Sequence, residues 1–398
     1  MARADEGEGG EGQVRSVWKD HNLHVIFGVT LMGIMGTTSI TPAFPKIVQE
    51  LGISSGQVYL LITVYSIPGI LLTAIDGALS DRFGRRKILV PSLMLFGIAG
   101  GACALVQDFG LLLALRTLQG VGAAGLGALN NTIIGDIYMG RERTAALGYN
   151  SSVLSIATAS YPVIGGALAT FGWFYPFALP LLAIPVGFLV LFSLRNPEPD
   201  NMETLKEYAG SVFESIKDWQ VLGLFTGSLV TFIILFGPLI TYLPMLMDES
   251  FGASSLLIGL VLASLSLITA LTSTQLGWLT SYFSEKILIR MSFVLYAAAL
   301  ILIAFIPSVW LLFVPMAIFG VAQSLNLPNV FSLINKAAPD EEHRGAFIAL
   351  NSTVLRLGQT LGPVLMVAAV VSLGVGGAYF AGAALAGAMF FVAFALIR

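Results

Sequence analysis

From Val25 onward the chain alternates long apolar runs with short polar breaks. A helix needs about 20 mostly apolar residues to cross a bilayer. On that length the pattern predicts spans over Val25–Pro45, Val58–Leu79, Ile88–Val106, Leu111–Ile134, Ala145–Thr170 and Trp173–Leu194. A second set, equal in number, is predicted over Val221–Leu246, Ser254–Leu279, Ile287–Ile306, Trp310–Ile334, Gly345–Ser372 and Ala378–Ile397. The expected fold class is therefore an all-α polytopic membrane protein of twelve transmembrane helices. Its parts are a disordered tail over residues 1–22, a six-helix bundle over 23–194, a linker over 195–220 and a second six-helix bundle over 221–398. The linker is the longest polar stretch after the tail and looks helical and amphipathic from Tyr208 to Trp219.

The two sets repeat each other at an offset of about 200 residues, as expected of transporters built from duplicated bundles. Asn150-Ser-Ser-Val-Leu, running on to Pro162, matches Asn351-Ser-Thr-Val-Leu, running on to Pro363. Gly77-Ala-Leu-Ser, leading to Phe83, matches Gly277-Trp-Leu-Thr, leading to Phe283. Two related bundles facing each other enclose a site near mid-membrane that opens to either side in turn.

Charge sets the orientation. Arg82, Arg85, Arg86, Lys87, Arg141, Arg143, Arg195, Lys206, Lys217, Lys286, Arg290, Lys336 and Arg344 fall on alternate loops or at their edges, whereas the opposite loops carry only Lys46. Positive residues stay inside, so both termini and the linker are expected on the cytoplasmic side. The acidic, glycine-rich start, MARADEGEGGEGQ, has no apolar core and is not a signal peptide.

Composition narrows the classes further. Of 398 residues, 56% are hydrophobic and 11% charged, with a mean hydropathy of +0.85; soluble domains run near ~25% charged. No length is left for a soluble catalytic domain or a nucleic-acid-binding one. The single cysteine, Cys103, forms no intramolecular disulfide, and no metal or cofactor is expected. No GxxxxGK[ST] loop occurs, so the energy for any transport must come from a gradient.

The loop after the second span reads Gly77-Ala-Leu-Ser-Asp81-Arg82-Phe-Gly84-Arg85-Arg86-Lys87. It resembles, position by position, the signature loop GxLaDrxGrkxxl of the major facilitator superfamily. Arg116-Thr-Leu-Gln119-Gly120-Val-Gly122-Ala-Ala in the fourth span is similar to that superfamily's RxxqGxgaa motif. Thr41-Pro42-Ala-Phe-Pro45 resembles the first-span ending of its drug:proton antiporter branch. The antiporter motif gxxxGPxxGG stands in the fifth span as Ala157-Thr-Ala-Ser-Tyr161-Pro162-Val-Ile-Gly165-Gly166, with tyrosine in place of the glycine before proline; a GxxxGP copy, Gly358 to Pro363, lies in the eleventh. The resemblance covers essentially the whole chain. It implies that Gly77, Asp81, Arg82, Gly84, Arg85, Arg86 and Asp136 form a gate latch, with Asp81 facing the start of the eleventh span near Gly345 when the cytoplasmic side is closed. A helix N-terminus facing Asp81 would add ~0.3–1 kcal/mol.

A charge at the bilayer centre costs at least ~2.5–3.5 kcal/mol, so each is a functional candidate. Asp76, in the last inner turn of the second span, is either a titrating proton carrier or a solvated helix-end residue. Arg116 is either proton-linked or bonded to neighbouring carbonyls. Arg356 has Ser155 at its first-half counterpart and Gln359 at i+3. It either holds an anionic or zwitterionic group or bonds carbonyls across an interface. Gln323, Asn326 and Asn329 form a polar stripe on the tenth span, with Asn130 and Asn131 comparably placed on the fourth. The stripe faces a cavity or bonds between helices, but not lipid. Met35, Phe232, Phe236 and Tyr242 are soft and aromatic candidates for a cavity wall.

The expectation is a secondary transporter working by alternating access, exporting small amphipathic compounds by proton antiport across a prokaryotic inner membrane. The alternative is a carrier of an anionic or zwitterionic solute, or lipid-like molecule, recognised through Arg356. The expected partners are a small-molecule substrate, protons and the lipid bilayer, with no nucleic acid, and the chain is expected to act as a monomer.

Overall fold

The computed structural model describes residues 17–194, 218–337 and 341–397, with the side chains of Ala74, Ala78, Asp81, Ala128, residues 341–346 and Ala349 outside the description. Most of the predicted tail, and the amphipathic linker helix, lie outside the described residues. The rest is helix. The first half holds His21–Leu51, Leu60–Phe83, Arg85–Leu105, Phe109–Ile137, Gly140–Phe171 and Tyr175–Ser193. The second half holds Trp219–Phe251, Ser255–Ser273, Glu285–Ala304, Val309–Ala337, Glu341–Leu373 and Gly376–Leu396. Below, these are the first to twelfth spans. Eleven have an apolar window long enough to cross a bilayer; the second carries a shorter one, Leu60–Thr73, within its longer helix.

Local chemistry sets the ends. Asp20, Asp108, Asp218, Ser254 and Ser284 each accept a backbone N–H of the helix they start, which satisfies donors that have no intrahelical partner. Gly52 and Gly252 close the first and seventh spans in the left-handed conformation, at φ 63° and 58°, which suits glycine because it lacks a Cβ. These two caps are 200 positions apart, so the duplication extends to chain reversals. Proline shapes the interiors. Pro42 lies in a 3₁₀ turn of the first span, and Pro238 in a π-helical stretch, Leu235–Tyr242, of the seventh. The sixth span starts as a 3₁₀ helix over Tyr175–Leu182, where Pro176 and Pro180 remove two backbone donors.

One predicted boundary needs correction. The eighth span does not run on to Leu279: its helix ends at Ser273, and a turn at Thr274 and Gln275 leads into a separate helix, Leu276–Tyr282. The hydroxyls of Ser273 and Thr274 bond back to Thr269 and Leu271 carbonyls, competing with the helical pattern there.

The chain ends share one face, called basal here, and Gly52, Gly172, Gly252 and Gly374 lie at the other, distal face. The halves meet along two crossings, fifth span against eighth and second against eleventh. At the distal face the join is tight. Gln49 Nε2 donates to Asp248 Oδ2 (3.0 Å), and Ser55 Oγ donates to Glu249 Oε1 (2.8 Å). Gly166 abuts the Ser255 backbone and Gly259 the Pro162 carbonyl, each where a Cβ would collide with main chain. Lys46 closes the end of the fifth span by donating to the Ala169 and Thr170 carbonyls at 2.8 and 3.1 Å. The outer surface is apolar: Phe192 is 79% exposed and Phe391 71%, tolerable only against lipid.

Candidate functional site

Arg116 is fully buried among the first, second and fourth spans. Its Nη1 donates to the Gly36 carbonyl (2.8 Å) and to Gln119 Oε1 (2.6 Å), while Nε and Nη2 share the Leu61 carbonyl at 3.2 and 3.1 Å. The guanidinium also stacks on the Tyr65 ring, 4.3 Å from its centroid. The charge thus ends on carbonyl dipoles and a π face, with no carboxylate among these partners. This is the arrangement of a staple between three helices.

Arg356 is placed otherwise. It projects from the eleventh span into the first half, and its guanidinium occupies the space that a Cβ at Gly69 on the second span, or at Gly127 on the fourth, would need. Among the described residues it has neither a hydrogen-bond nor an ion-pair partner. Asp76 lies on the same face of the second span as Gly69, two turns toward the basal end. Its Oδ2 comes to 3.6 Å from where a Cβ of Gly125 would be, and it too has no described hydrogen-bond or ion-pair partner. No hydrogen bond or ion pair joins Arg356 to Asp76 among the described residues. They come from opposite halves, and both are partly accessible.

The polar stripe of the tenth span is bonded inside the second half. Asn326 Oδ1 accepts from Thr231 (3.0 Å) and its Nδ2 donates to Ser292 Oγ (2.8 Å). Gln323 Oε1 accepts from the Tyr296 hydroxyl (2.6 Å), and Asn329 Nδ2 donates to the Leu325 carbonyl of its own helix (2.8 Å). All three are buried. Asn130 is bound likewise in the first half: its Nδ2 donates to Thr30 Oγ1 (2.6 Å), which donates to Asn150 Oδ1 (2.5 Å). Of the two readings of these amides, interhelical bonding accounts for the contacts of Gln323, Asn326 and Asn130, whereas Asn329 bonds within its own helix. Asn351, the repeat counterpart of Asn150, is fully buried with neither amide atom bonded.

Among the apolar candidates, Phe232 and Phe236 lie 5.5 Å apart, tilted to each other and partly accessible, with Phe232 against Gly358 of the eleventh span. Gln359 is partly accessible on that span. Met35 and Tyr242 are only 1% and 0% exposed, and the Tyr242 hydroxyl has no partner among the described residues.

In the signature loop, Arg85 Nε bonds Asp136 Oδ2 at 2.9 Å and its Nη1 bonds Ser80 Oγ at 2.6 Å, joining the second, third and fourth spans. Gly84 supplies the turn at φ 96°. Arg82 is exposed and lies over Phe83, while Arg86 bonds the Leu191 carbonyl. The expected contact of Asp81 with the start of the eleventh span falls on side chains outside the description. Tyr138, in the turn after the fourth span, donates to Asp20 Oδ2 (2.8 Å). Burial, and then the Asp20 carboxylate, push its hydroxyl up in pKa, so it stays the donor.

Sequence reasoning missed Gly69, Gly127 and Tyr65. The available signal was the run Gly120, Gly122, Gly125, Gly127 on the fourth span, small residues that let other groups come close. Nothing in the sequence said that the group coming close would be a guanidinium from the other half.

Two six-helix halves related by a repeat, joined at one face and carrying charges along the seam between them, are the architecture of a duplicated membrane transporter. The sequence profile described as Major Facilitator Superfamily matches residues 26–250 and 224–398, and the chain belongs to that family. It is 28% identical over 363 residues to the bacillibactin exporter of Bacillus subtilis (strain 168), covering 87% of this chain and 89% of that protein. It is 27% identical over 359 residues to multidrug resistance protein 1 of the same organism, with the same coverage. Among solved structures, it resembles a bacterial homolog of the human lysosomal transporter Spinster in an inward-facing and occupied conformation. That match has a TM-score of 0.79 and 18% identity, over 94% of this chain and 96% of that one. The protein is thus a multi-pass membrane transporter, not an enzyme.

Proposed function

We propose that the protein exports small amphipathic compounds across a prokaryotic cytoplasmic membrane, driven by protons moving inward, with both chain ends and the basal face in the cytoplasm. The observation that carries this reading is Asp76, a carboxylate within a span, beside the seam, with no described partner. A group so placed exchanges a proton with whichever side the seam opens to. Open to the cytoplasm, Asp76 releases its proton and the substrate enters; open outward, protonation of Asp76 favours release. The printed names of two relatives, an exporter and a multidrug resistance protein, support the direction and the substrate class. The basic residues clustered at the basal face support the orientation. The distal bonds Gln49–Asp248 and Ser55–Glu249 fit a conformer shut on the outer side. In this cycle Arg85, Asp136 and Ser80 hold three spans together so that the first half moves as a body, while Gly77, Asp81, Arg82, Gly84 and Arg86 supply the inner latch. Phe232, Phe236 and Gln359 line the substrate's apolar path.

The test is flux of a hydrophobic fluorescent cation in proteoliposomes under an imposed pH gradient. The native protein moves the dye against its gradient, and Asp76→Asn reduces that flux at least about tenfold while keeping the same thermal unfolding midpoint. If an imposed pH gradient moves no dye in either direction, proton coupling is wrong.

A further inference from the structure

Arg356 and Asp76 form an unusual pair. Each is a charge inside the membrane-spanning region, and each lacks a described hydrogen-bond or ion-pair partner. They come from opposite halves of the molecule. An unpaired charge at such depth is unfavourable, and here two of opposite sign flank the same face of the second span. The guanidinium is seated against Gly69 and Gly127, while Asp76 sits beside Gly125, and Gly69 and Asp76 are about 10 Å apart along the second span's axis. On the fourth span the positions beside the two charges, Gly125 and Gly127, are two residues apart and so point to nearly opposite sides of that helix. The gap along the second span is therefore polar at both ends and divided between the halves.

The repeat sharpens the point. At the other crossing, the counterpart of Arg356 is Ser155, which bonds the Ser151 carbonyl of its own helix at 2.9 Å. The positions matching Gly69 and Asp76 are Thr269 and Leu276, and the Thr269 hydroxyl bonds the Leu265 and Gly320 carbonyls. The duplicated fold therefore does not require charge there; one crossing carries both charges and the other neither.

We propose that the gap between Asp76 and Arg356 binds the polar end of a zwitterionic amphiphile, its ammonium on Asp76 and its anionic group on Arg356. This rests on the exporter reading and names the class of compound exported. A ligand with one charge leaves the opposite protein charge uncompensated, whereas a zwitterion answers both and brings no net charge into the membrane. Because the two contacts lie on different halves, the bound headgroup also bridges the parts that must move relative to each other. The same chemistry occurs in free amphiphilic amino acids and in single-chain phospholipids, and the probes below separate these sources.

The experiment measures binding to the full chain in lipid nanodiscs by calorimetry. Four probes are used: 2-aminodecanoate, lysophosphatidylethanolamine, decylamine and decanoate. At least one zwitterion is expected to bind about tenfold tighter than either singly charged probe, the gain of one further charge-assisted contact. Whichever zwitterion shows the gain identifies the source. Arg356→Gln lowers that zwitterion to the affinity of decylamine, and Asp76→Asn lowers it to that of decanoate. Arg356→Lys, which keeps the charge, retains part of the preference and controls for misfolding. Equal affinity for zwitterionic and singly charged probes, or an equal loss for all four in either variant, overturns the proposal. Gradient-driven flux of the hydrophobic cation is run beside it. Flux without zwitterion preference sinks this inference alone, and preference without flux sinks proton coupling while this inference stands.

Discussion

Arg116 and Arg356 both lie well inside their spans, and the protein treats them oppositely. Arg116 is fully enclosed, and its bonds run to Gly36, Leu61 and Gln119, with the Tyr65 ring on one side. Arg356 reaches across the seam, makes no described hydrogen bond, and rests against two glycines. The first is held by its own half and the second leans on the other half. A buried charge whose donors are satisfied belongs to the architecture, whereas one left unsatisfied at a moving interface is available to a ligand.

The contrast is tested first through stability. Arg116→Leu leaves the Gly36 and Leu61 carbonyls without these donors and removes the staple of three helices. The expected loss is about 3–5 kcal/mol, read as a lower midpoint in denaturant or heat. Arg356→Leu breaks no described bond, so its stability stays within about 1 kcal/mol of the native protein. Equal destabilisation by both would erase the distinction.

A second contrast concerns what fills the space beside glycine. At the fifth–eighth crossing a Cβ on Gly259 meets the Pro162 carbonyl, which is main chain. Gly259→Val is expected to cost about 1–3 kcal/mol and to weaken the distal join, seen as faster labelling of a cysteine placed at Ser55. The interior amides come next. Asn326→Leu loses its bonds to Thr231 and Ser292, worth about 1 kcal/mol together on membrane averages of ~0.6 per bond, with no change in which substrates are carried. The smallest stability effect is expected from Gly69→Ala. The new methyl meets only the end of the flexible Arg356 side chain, so stability changes by less than about 1 kcal/mol. The displaced guanidinium nevertheless shifts apparent substrate affinity, and a flux assay over a concentration series reads that shift.

Much of the fold was legible because lipid imposes a strict rule: every backbone polar group must bond within its own helix, so crossings are long apolar helices. The twelve spans, their division into two sets and their repeat follow from that. The eighth span was read six residues too long, because apolar residues resume at Leu276 after the uncharged stretch Thr272–Gln275, while hydroxyl bonding at Ser273 and Thr274 accompanies the end of the helix. The site was less legible. Arg116, Arg356 and Asp76 stood out as charges in apolar runs, but periodicity cannot say whether an amide faces a cavity or a neighbour. Gln323, Asn326 and Asn130 proved to be bonded within their own halves.

By itself the sequence determined how many times the chain crosses, that it is built twice over, and which few charges enter the membrane, because these depend on runs of residues along one chain. Tertiary structure alone decided which of those charges would be satisfied. Partners such as Leu61 for Arg116, or Gly69 for Arg356, are brought within reach only when separate helices pack, and desolvation inside that packing makes a bonded charge structural and an unbonded one available.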